Sequence, residues 1–201
     1  MSFNHKANDM VYIAENIFKD IYPVIAAQIV QKTGVSKGRV LDIGTGSGAL
    51  ARALYELGDF EIVAIDSKID MCDVARDYIL IENKPIKVLN AFVESMPFGD
   101  NSFDLIISRG SVFFWNDKIA AFKEIYRVLK QGGITYIGGG FGTKELANKI
   151  SKIMESKYPE WKFYVKKRME SVPSILNDLA TLSLPFELID DETGIWIMIR
   201  K

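Results

Sequence analysis

The chain has 201 residues, with 25 Lys plus Arg and 26 Asp plus Glu, so its formal net charge is −1. This length fits one domain with a full core, and the balanced charge excludes a general basic field for nucleic acid. The single cysteine, Cys72, excludes an intrachain disulfide and a Cys-rich metal site, and we expect it to lie in the core. The single histidine, His5, excludes a site built from several histidines and argues against a Ser-His-Asp triad. We therefore expect no metal.

The sequence shows no sign of membrane targeting. Residues 1–6 lack the apolar segment of a leader peptide, and no apolar run approaches the ~20 residues that cross a bilayer. We therefore expect a cytoplasmic protein without a membrane partner.

Helices and short apolar strands alternate along most of the chain. Helical spacing of apolar residues predicts helices over 11–19, 24–32 (after Pro23), 49–57, 69–81, 117–130, 143–156 and 173–181. Apolar runs predict strands over 39–43, 61–65, 86–89, 103–108 and 134–137, and a hairpin of strands 186–190 and 195–199. Apolar strands that alternate with helices are typical of an α/β fold with a parallel sheet covered on both faces. The hairpin adds one antiparallel strand to this prediction.

A glycine-rich loop joins the first predicted strand to the following helix. Its sequence is Asp42-Ile43-Gly44-Thr45-Gly46-Ser47-Gly48. Glycines allow a sharp turn and a close approach of the backbone to a ligand, and the helix start favours negative charge. Gly44, Gly46 and Ala49 also fit the G-x-G-x-x-A pattern of a dinucleotide site, which leaves an oxidoreductase as one interpretation.

Two carboxylates at predicted strand ends indicate whether the loop binds a dinucleotide or a different ligand. Asp42 would repel a pyrophosphate but would stabilise a ligand that carries an ammonium group. S-adenosyl-L-methionine (SAM) carries an ammonium, which can face Asp42, and a carboxylate, which can face the start of the helix. Asp66 ends the second strand, where it can accept hydrogen bonds from ribose hydroxyls. The sequence therefore favours SAM over a dinucleotide.

Three motifs resemble those of class I SAM-dependent methyltransferases of the small-molecule type (methyltransferase type 11). The run 40–48 is similar to the family's motif I, and 96–108 (MPFGDNSFDLIIS) is similar to its LPF-x-D-x-SFD segment. The run 124–133 (EIYRVLKQGG) resembles its E-h-x-R-V-L-K-P-G-G helix and turn, with Gln131 in place of proline. The resemblance implies a Rossmann-like sheet of seven strands in the order 3-2-1-4-5-7-6, with strand 7 antiparallel.

The resemblance also implies which residues bind SAM, with S-adenosylhomocysteine (SAH) as the product. The predicted cofactor-binding residues are Asp42, Gly44, Thr45, Gly46, Ser47, Gly48, Asp66, Ser67, Met71, Phe92, Val93, Ser108 and Arg109. Phe92 stands where many members carry an Asp that contacts the adenine amino group. We therefore expect Phe92 to cover the adenine ring, and the N–H of Val93 to reach its N1. In an alternative prediction, Phe92 points into the core and Glu94 contacts the amino group.

The loop after the fourth strand is predicted to form the transfer site. Arg109 can hold the SAM carboxylate or an anionic substrate, and aromatic faces can stabilise a sulfonium. The predicted substrate pocket consists of Arg109, Phe113, Phe114, Trp115 and Phe141. No catalytic residue is assigned, and Arg109 and Trp115 are the candidates.

The predicted organisation is a single domain with four parts. These are an N-terminal helical cap (1–36), a SAM-binding core (38–140), a helical lid over the substrate (141–185) and a C-terminal hairpin (186–201). Residues 144–168 contain eight Lys or Arg and several aromatic residues, which is typical of a solvated helix face or of a substrate lid. The predicted function is methyl transfer to a small molecule by a monomer or homodimer that does not bind DNA. The alternative is a SAM-binding sensor or accessory protein without transferase activity.

Overall fold

The structure, a computed structural model, describes residues 7–201, so the predictions for His5 lie outside the described residues. The helices are α1 (Ala7–Tyr12), α2 (Ile21–Thr33), α3 (Ala49–Tyr55), α4 (Ile69–Ile81), α5 (Lys118–Val128), α6 (Lys144–Lys157) and α7 (Trp161–Thr181). A π-helical turn, Ile13–Ile17, follows α1, and a 3₁₀ turn, Val112–Phe114, follows the fourth strand. The strands are β1 (Lys37–Ile43), β2 (Asp59–Asp66), β3 (Lys87–Asn90), β4 (Phe103–Arg109), β5 (Leu129–Gly140), β6 (Phe186–Asp191) and β7 (Gly194–Ile199).

The seven strands form one sheet in the order β3-β2-β1-β4-β5-β7-β6. The pairs from β3 to β5 are parallel, whereas β7 runs antiparallel to both β5 and β6. The predicted α/β class, strand order and antiparallel strand are confirmed. In such a sheet the carboxyl ends of the parallel strands lie along one edge, where ligands bind in open α/β folds.

Both faces of the sheet are buried, because successive side chains of a strand point to opposite faces. One hydrophobic cluster contains Val40, Leu105 and Ile107, and the other contains Leu41, Ile43 and Ile106. Burial of each such side chain contributes roughly 1.5–3 kcal/mol. Cys72 is buried in the first cluster, as predicted for a core residue.

Several predicted elements have wrong bounds. The first helix, predicted over 11–19, ends at Tyr12 and is followed by the π-helical turn, and the second begins at Ile21, before Pro23. The last helix does not begin at Pro173, since α7 starts at Trp161 and contains Pro173 in its interior. Proline removes one helical hydrogen bond, which frees the carbonyl of Met169, an exposed residue that water can reach. The helix is held in place by buried side chains on both sides of the proline, those of Trp161 and Ile175. In addition, β5 covers twelve residues, and its last part pairs with β7 through Gly140.

Across residues 7–201, no helix combines the length and the apolar character needed to span a bilayer.

Candidate active site

The glycine loop between β1 and α3 is fixed by hydrogen bonds to neighbouring strands. The N–H groups of Gly44 and Thr45 both donate to the carbonyl of Ile65 in β2, at 2.8 and 3.0 Å. Gly44 has φ +68°, and a Cβ there would lie 2.3 Å from the Cβ of Ser111. The hydroxyl of Ser111 in turn donates to the carbonyl of Ile43 at 3.1 Å. The loop therefore needs glycine at position 44 for its conformation and for its close contact with the loop after β4.

Asp42 lies beneath this loop and is only 2% exposed. Burial raises the pKa of Asp42 to about 7, while a hydrogen bond from Thr45 (2.6 Å) lowers it and the charge of Asp66 raises it further. Asp42 lines a small recess of about 120 Å³, together with Tyr22, Thr45 and Arg109. The recess thus places a carboxylate and a guanidinium around one small volume.

Arg109, at the end of β4, is held against the backbone and against aromatic rings. Its Nε and Nη2 donate to the carbonyl of Gly140 at 3.2 and 3.0 Å. The guanidinium carbon lies 4.8, 5.7 and 5.5 Å from the ring centroids of Phe18, Tyr22 and Phe141. Burial lowers the pKa of Arg109, and interactions with Tyr22 oppose that shift. Since a guanidinium has five N–H donors, Arg109 retains donors for a ligand.

A larger cavity of about 380 Å³ opens beside the recess, at the carboxyl edge of the sheet. Asp66 stands at its rim, where its carboxylate accepts from the N–H groups of Gly46 and Lys68, each at 3.0 Å. These two bonds hold the carboxylate in place, and lone pairs remain for a further donor. Arg109 and the glycine loop line both the recess and the larger cavity.

Most of the predicted site residues line these two spaces. The larger cavity is lined by Gly44, Gly46, Asp66, Ser67, Met71, Phe92, Val93, Arg109, Phe114 and Trp115. Asp42, Thr45 and Ser47 line the recess. The fold thus brings these predicted residues together from separate stretches of the chain.

Four predicted site residues line neither space. Gly48 caps the start of α3 with φ +79°, and the hydroxyl of Ser108, a fully buried residue, lies 2.5 Å from that of Ser111. Phe113 packs beside Gly139, while the ring of Phe141 packs edge-on against Phe18. These residues support the site from behind its walls.

The aromatic residues at the cavity differ in exposure. Trp115 is 8% exposed, its Nε1 donates to Ser111 at 3.0 Å, and its ring packs against Phe122. Phe92 is 55% exposed, so it does not point into the core. Glu94 also lines the cavity, but its Oε1 accepts from the N–H groups of residues 116 and 117 at 3.0 and 3.4 Å.

The sequence analysis predicted a cap (1–36) and a lid (141–185), but it did not name the residues of these segments that line the larger cavity. Met10, Ile13 and Phe18 of the N-terminal segment line the larger cavity, as do Trp161 and Arg168 of α7. The one signal for the last two was the mixture of basic and aromatic residues over 144–168.

A polar network connects the N-terminal segment to the glycine loop. Glu15 accepts a hydrogen bond from Ser47 at 2.5 Å and forms an ion pair with Arg52 of α3 at 2.6 Å. Arg52 also pairs with Glu82 after α4. Because Glu15, Ser47 and Arg52 are partly or fully buried, their contacts fix how the N-terminal segment sits over the loop.

Comparisons with known proteins agree on one family. A profile described as "Methyltransferase domain" matches residues 41–137. A crystal structure of a candidate SAM-dependent methyltransferase from Methanococcus maripaludis superposes with a TM-score of 0.94 at 43% identity, covering 100% of this chain and 97% of that one. The demethylmenaquinone methyltransferase of Chlorobaculum tepidum is 33% identical over 116 residues, which is 57% of this chain and 46% of that protein. The ubiquinone/menaquinone biosynthesis C-methyltransferase of Neisseria meningitidis is 39% identical over 97 residues, 47% of this chain and 40% of that protein. The chain thus spans less than half the length of these two curated relatives.

Proposed function

Because the chain belongs to the class I SAM-dependent methyltransferases, we propose that it transfers the methyl group of SAM to a small-molecule acceptor bound in the larger cavity. SAM is the cofactor of this family, and SAH is what remains after transfer. The observation that carries the proposal is that the two spaces adjoin, since Gly44, Gly46 and Arg109 line both of them. A cofactor that extends from the recess along one side of the larger cavity can therefore meet an acceptor in the rest of that cavity.

The recess and rim offer a complementary group for each part of SAM. Asp42 would hold the ammonium and Arg109 the carboxylate of the methionine moiety, since both line the recess. Asp66 would accept from the ribose hydroxyls at the rim, where its position is already fixed by two N–H donors. Phe92 and Val93, which line the larger cavity, would cover the adenine.

The cavity favours catalysis by positioning. The sulfonium of SAM supplies an electrophilic methyl group, so the protein has to align the acceptor and exclude water. The lining residues Trp115 and Trp161 are buried and Phe114 is half exposed, which gives an apolar wall against which a flat acceptor can be held. Two carboxylates line the cavity, those of Asp66 and Glu94, and both already accept hydrogen bonds from backbone N–H groups. Neither is therefore assigned as a general base.

Binding and turnover test this proposal separately. In separate calorimetric titrations, SAM and SAH should each bind with one molecule per chain. Protein incubated with methyl-labelled SAM and a metabolite extract should transfer the label to a small molecule. SAM binding without any labelled product from the extract would favour the sensor or accessory protein. Absence of SAM and SAH binding by the folded protein would refute the proposal as a whole.

A further inference from the structure

Arg168, a residue of α7, lines the larger cavity. It is half-buried, and its guanidinium carbon lies 5.1 Å from the ring centroid of Phe114 and 6.0 Å from that of Phe113. Aromatic faces hold a guanidinium in place and leave its edge, with the N–H donors, free to bind an acceptor atom. The position of Arg168 is therefore defined by packing and not by an ion pair.

Two guanidinium groups line the larger cavity, those of Arg109 and Arg168, and neither forms an ion pair with a described residue. Within residues 7–201, no carboxylate oxygen lies within 4.0 Å of Arg109 or Arg168. Burial, and then the charge of Arg109, lower the pKa of Arg168 to about 10, so it still carries its charge at neutral pH. Partly buried charges without a partner cost free energy, and a ligand of opposite charge would offset that cost.

The two arginines have different neighbours. Arg109 shares the recess with Asp42 and donates to Gly140, whereas Arg168 lines only the larger cavity. SAM has a single carboxylate, which the proposed function assigns to Arg109. Two cations of the larger cavity then remain for the second substrate, the exposed Lys68 and the half-buried Arg168. Of these two, Arg168 is the one that packs against the aromatic rings of the wall.

We propose that Arg168 binds an anionic group of the methyl acceptor and so determines its specificity. This inference rests on the proposed function, and it makes the acceptor an apolar or aromatic molecule that carries a carboxylate or a phosphate. The exposed ring of Phe114 beside Arg168 provides the apolar surface for the body of such a molecule, while the guanidinium provides paired N–H donors for its oxygens. A neutral acceptor would leave this guanidinium without a counter-ion.

Probes of one shape and different charge test the inference. 2-Naphthoate, 2-naphthyl phosphate and the neutral 2-naphthamide would be titrated into the SAH-saturated protein, with tryptophan fluorescence as the readout. At least one anionic probe should bind about 10- to 100-fold more tightly than the amide, as for a charged hydrogen bond. The anion that binds more tightly distinguishes a carboxylate acceptor from a phosphate acceptor.

Variants of residues on α7 then test whether Arg168 causes the preference for the anionic probe. Arg168→Gln should abolish the preference for the anion, Arg168→Lys should retain part of it, and neither should change the affinity for SAH. Lys167→Gln is the matched control, because it removes a charge from an exposed neighbour that does not line the cavity, and it should change nothing.

Several results would overturn the inference. These are equal affinities for charged and neutral probes, no binding of either anion at millimolar concentration, or a preference that survives in Arg168→Gln. In each case the SAH titration of the same sample still reports whether the cofactor binds, so failure of this inference is distinguishable from failure of the cofactor assignment in the proposed function.

Discussion

Replacement of Asp42 by Asn should stabilise the ligand-free protein and weaken its binding of SAM. Asp42 is 2% exposed, and burial raises the pKa of its carboxyl to about 7 from an ordinary value of 3.8. Between pH 3.8 and about pH 7, the folded state therefore keeps a proton that the unfolded state has already released. Stability falls as the pH rises through this window, and the loss is complete above about pH 7.

The size of the effect follows from the difference between the two pKa values. One pKa unit corresponds to about 1.4 kcal/mol, so about three units give an upper limit of roughly 4 kcal/mol at pH 8. Asn at position 42 remains an acceptor for Thr45, whose hydroxyl lies 2.6 Å from Asp42 Oδ2. At pH 8 the ligand-free variant should therefore be more stable by about 1–4 kcal/mol, and near pH 4 the difference should vanish.

Urea unfolding at pH 4 and pH 8 measures the stability, and calorimetry with SAM at pH 8 measures the affinity. Loss of the charged partner of the ammonium should weaken binding by about 1.5–3 kcal/mol, which is roughly 10- to 150-fold.

Asp104→Asn provides a control of opposite sign. Burial opposes ionisation of Asp104, but hydrogen bonds from Lys130 and the N–H of Arg39 outweigh it, so its pKa is lowered. This variant should lose stability at pH 8 and keep its affinity for SAM. The reasoning on Asp42 would be refuted if Asp42→Asn were no more stable than wild type at pH 8, or if it bound SAM as tightly.

Three further variants test how the glycine loop is held. Gly44→Ala should cost at least about 2 kcal/mol of unfolding free energy, because it combines a left-handed φ with a clash against Ser111. Gly110→Ala, where φ is also positive but nothing lies within 4 Å of the added Cβ, should cost less, and equal costs in urea unfolding would contradict this reading. Glu15→Gln removes one partner of Arg52, whose side chain is 9% exposed, and should lower the unfolding free energy by about 2 kcal/mol. An unchanged midpoint in urea would show that this pair contributes nothing to stability.

The SAM-binding core could be predicted because its motifs are short runs of consecutive residues. Motif I joins a strand, a turn and a helix within a dozen residues, and Asp42 and Asp66 each stand at a strand end. Parallel strands with aligned ends bring such residues together without further information. The predicted cofactor residues of this region accordingly line the recess and the cavity, apart from Gly48, which caps α3, and Ser108, whose hydroxyl contacts that of Ser111.

The walls of the cavity could not be predicted, because they depend on packing between distant segments. Met10 and Ile13 have the apolar spacing of any core helix, and Arg168 is one of eight basic residues over 144–168. Only the tertiary structure separates Arg168, which lines the cavity, from Lys167, which is exposed. The start of α7 was missed for a related reason, since Pro173 is a local signal for a helix start and packing of Trp161 and Ile175 overrides it.

The distribution of charges connects the stability of this protein to its ligands. Away from the cavity, several partly buried charges are paired, as Arg52 is with Glu15 and Lys130 is with Asp104. In the recess and cavity, by contrast, Asp42, Arg109 and Arg168 have no ion-pair partner among the described residues. Each of these charges costs stability in the ligand-free state, and each would gain a partner in the proposed complex: an ammonium, a carboxylate and an acceptor anion. Because ligands that bind only the folded state stabilise it by mass action, cofactor and acceptor should each raise the melting temperature through a different charge.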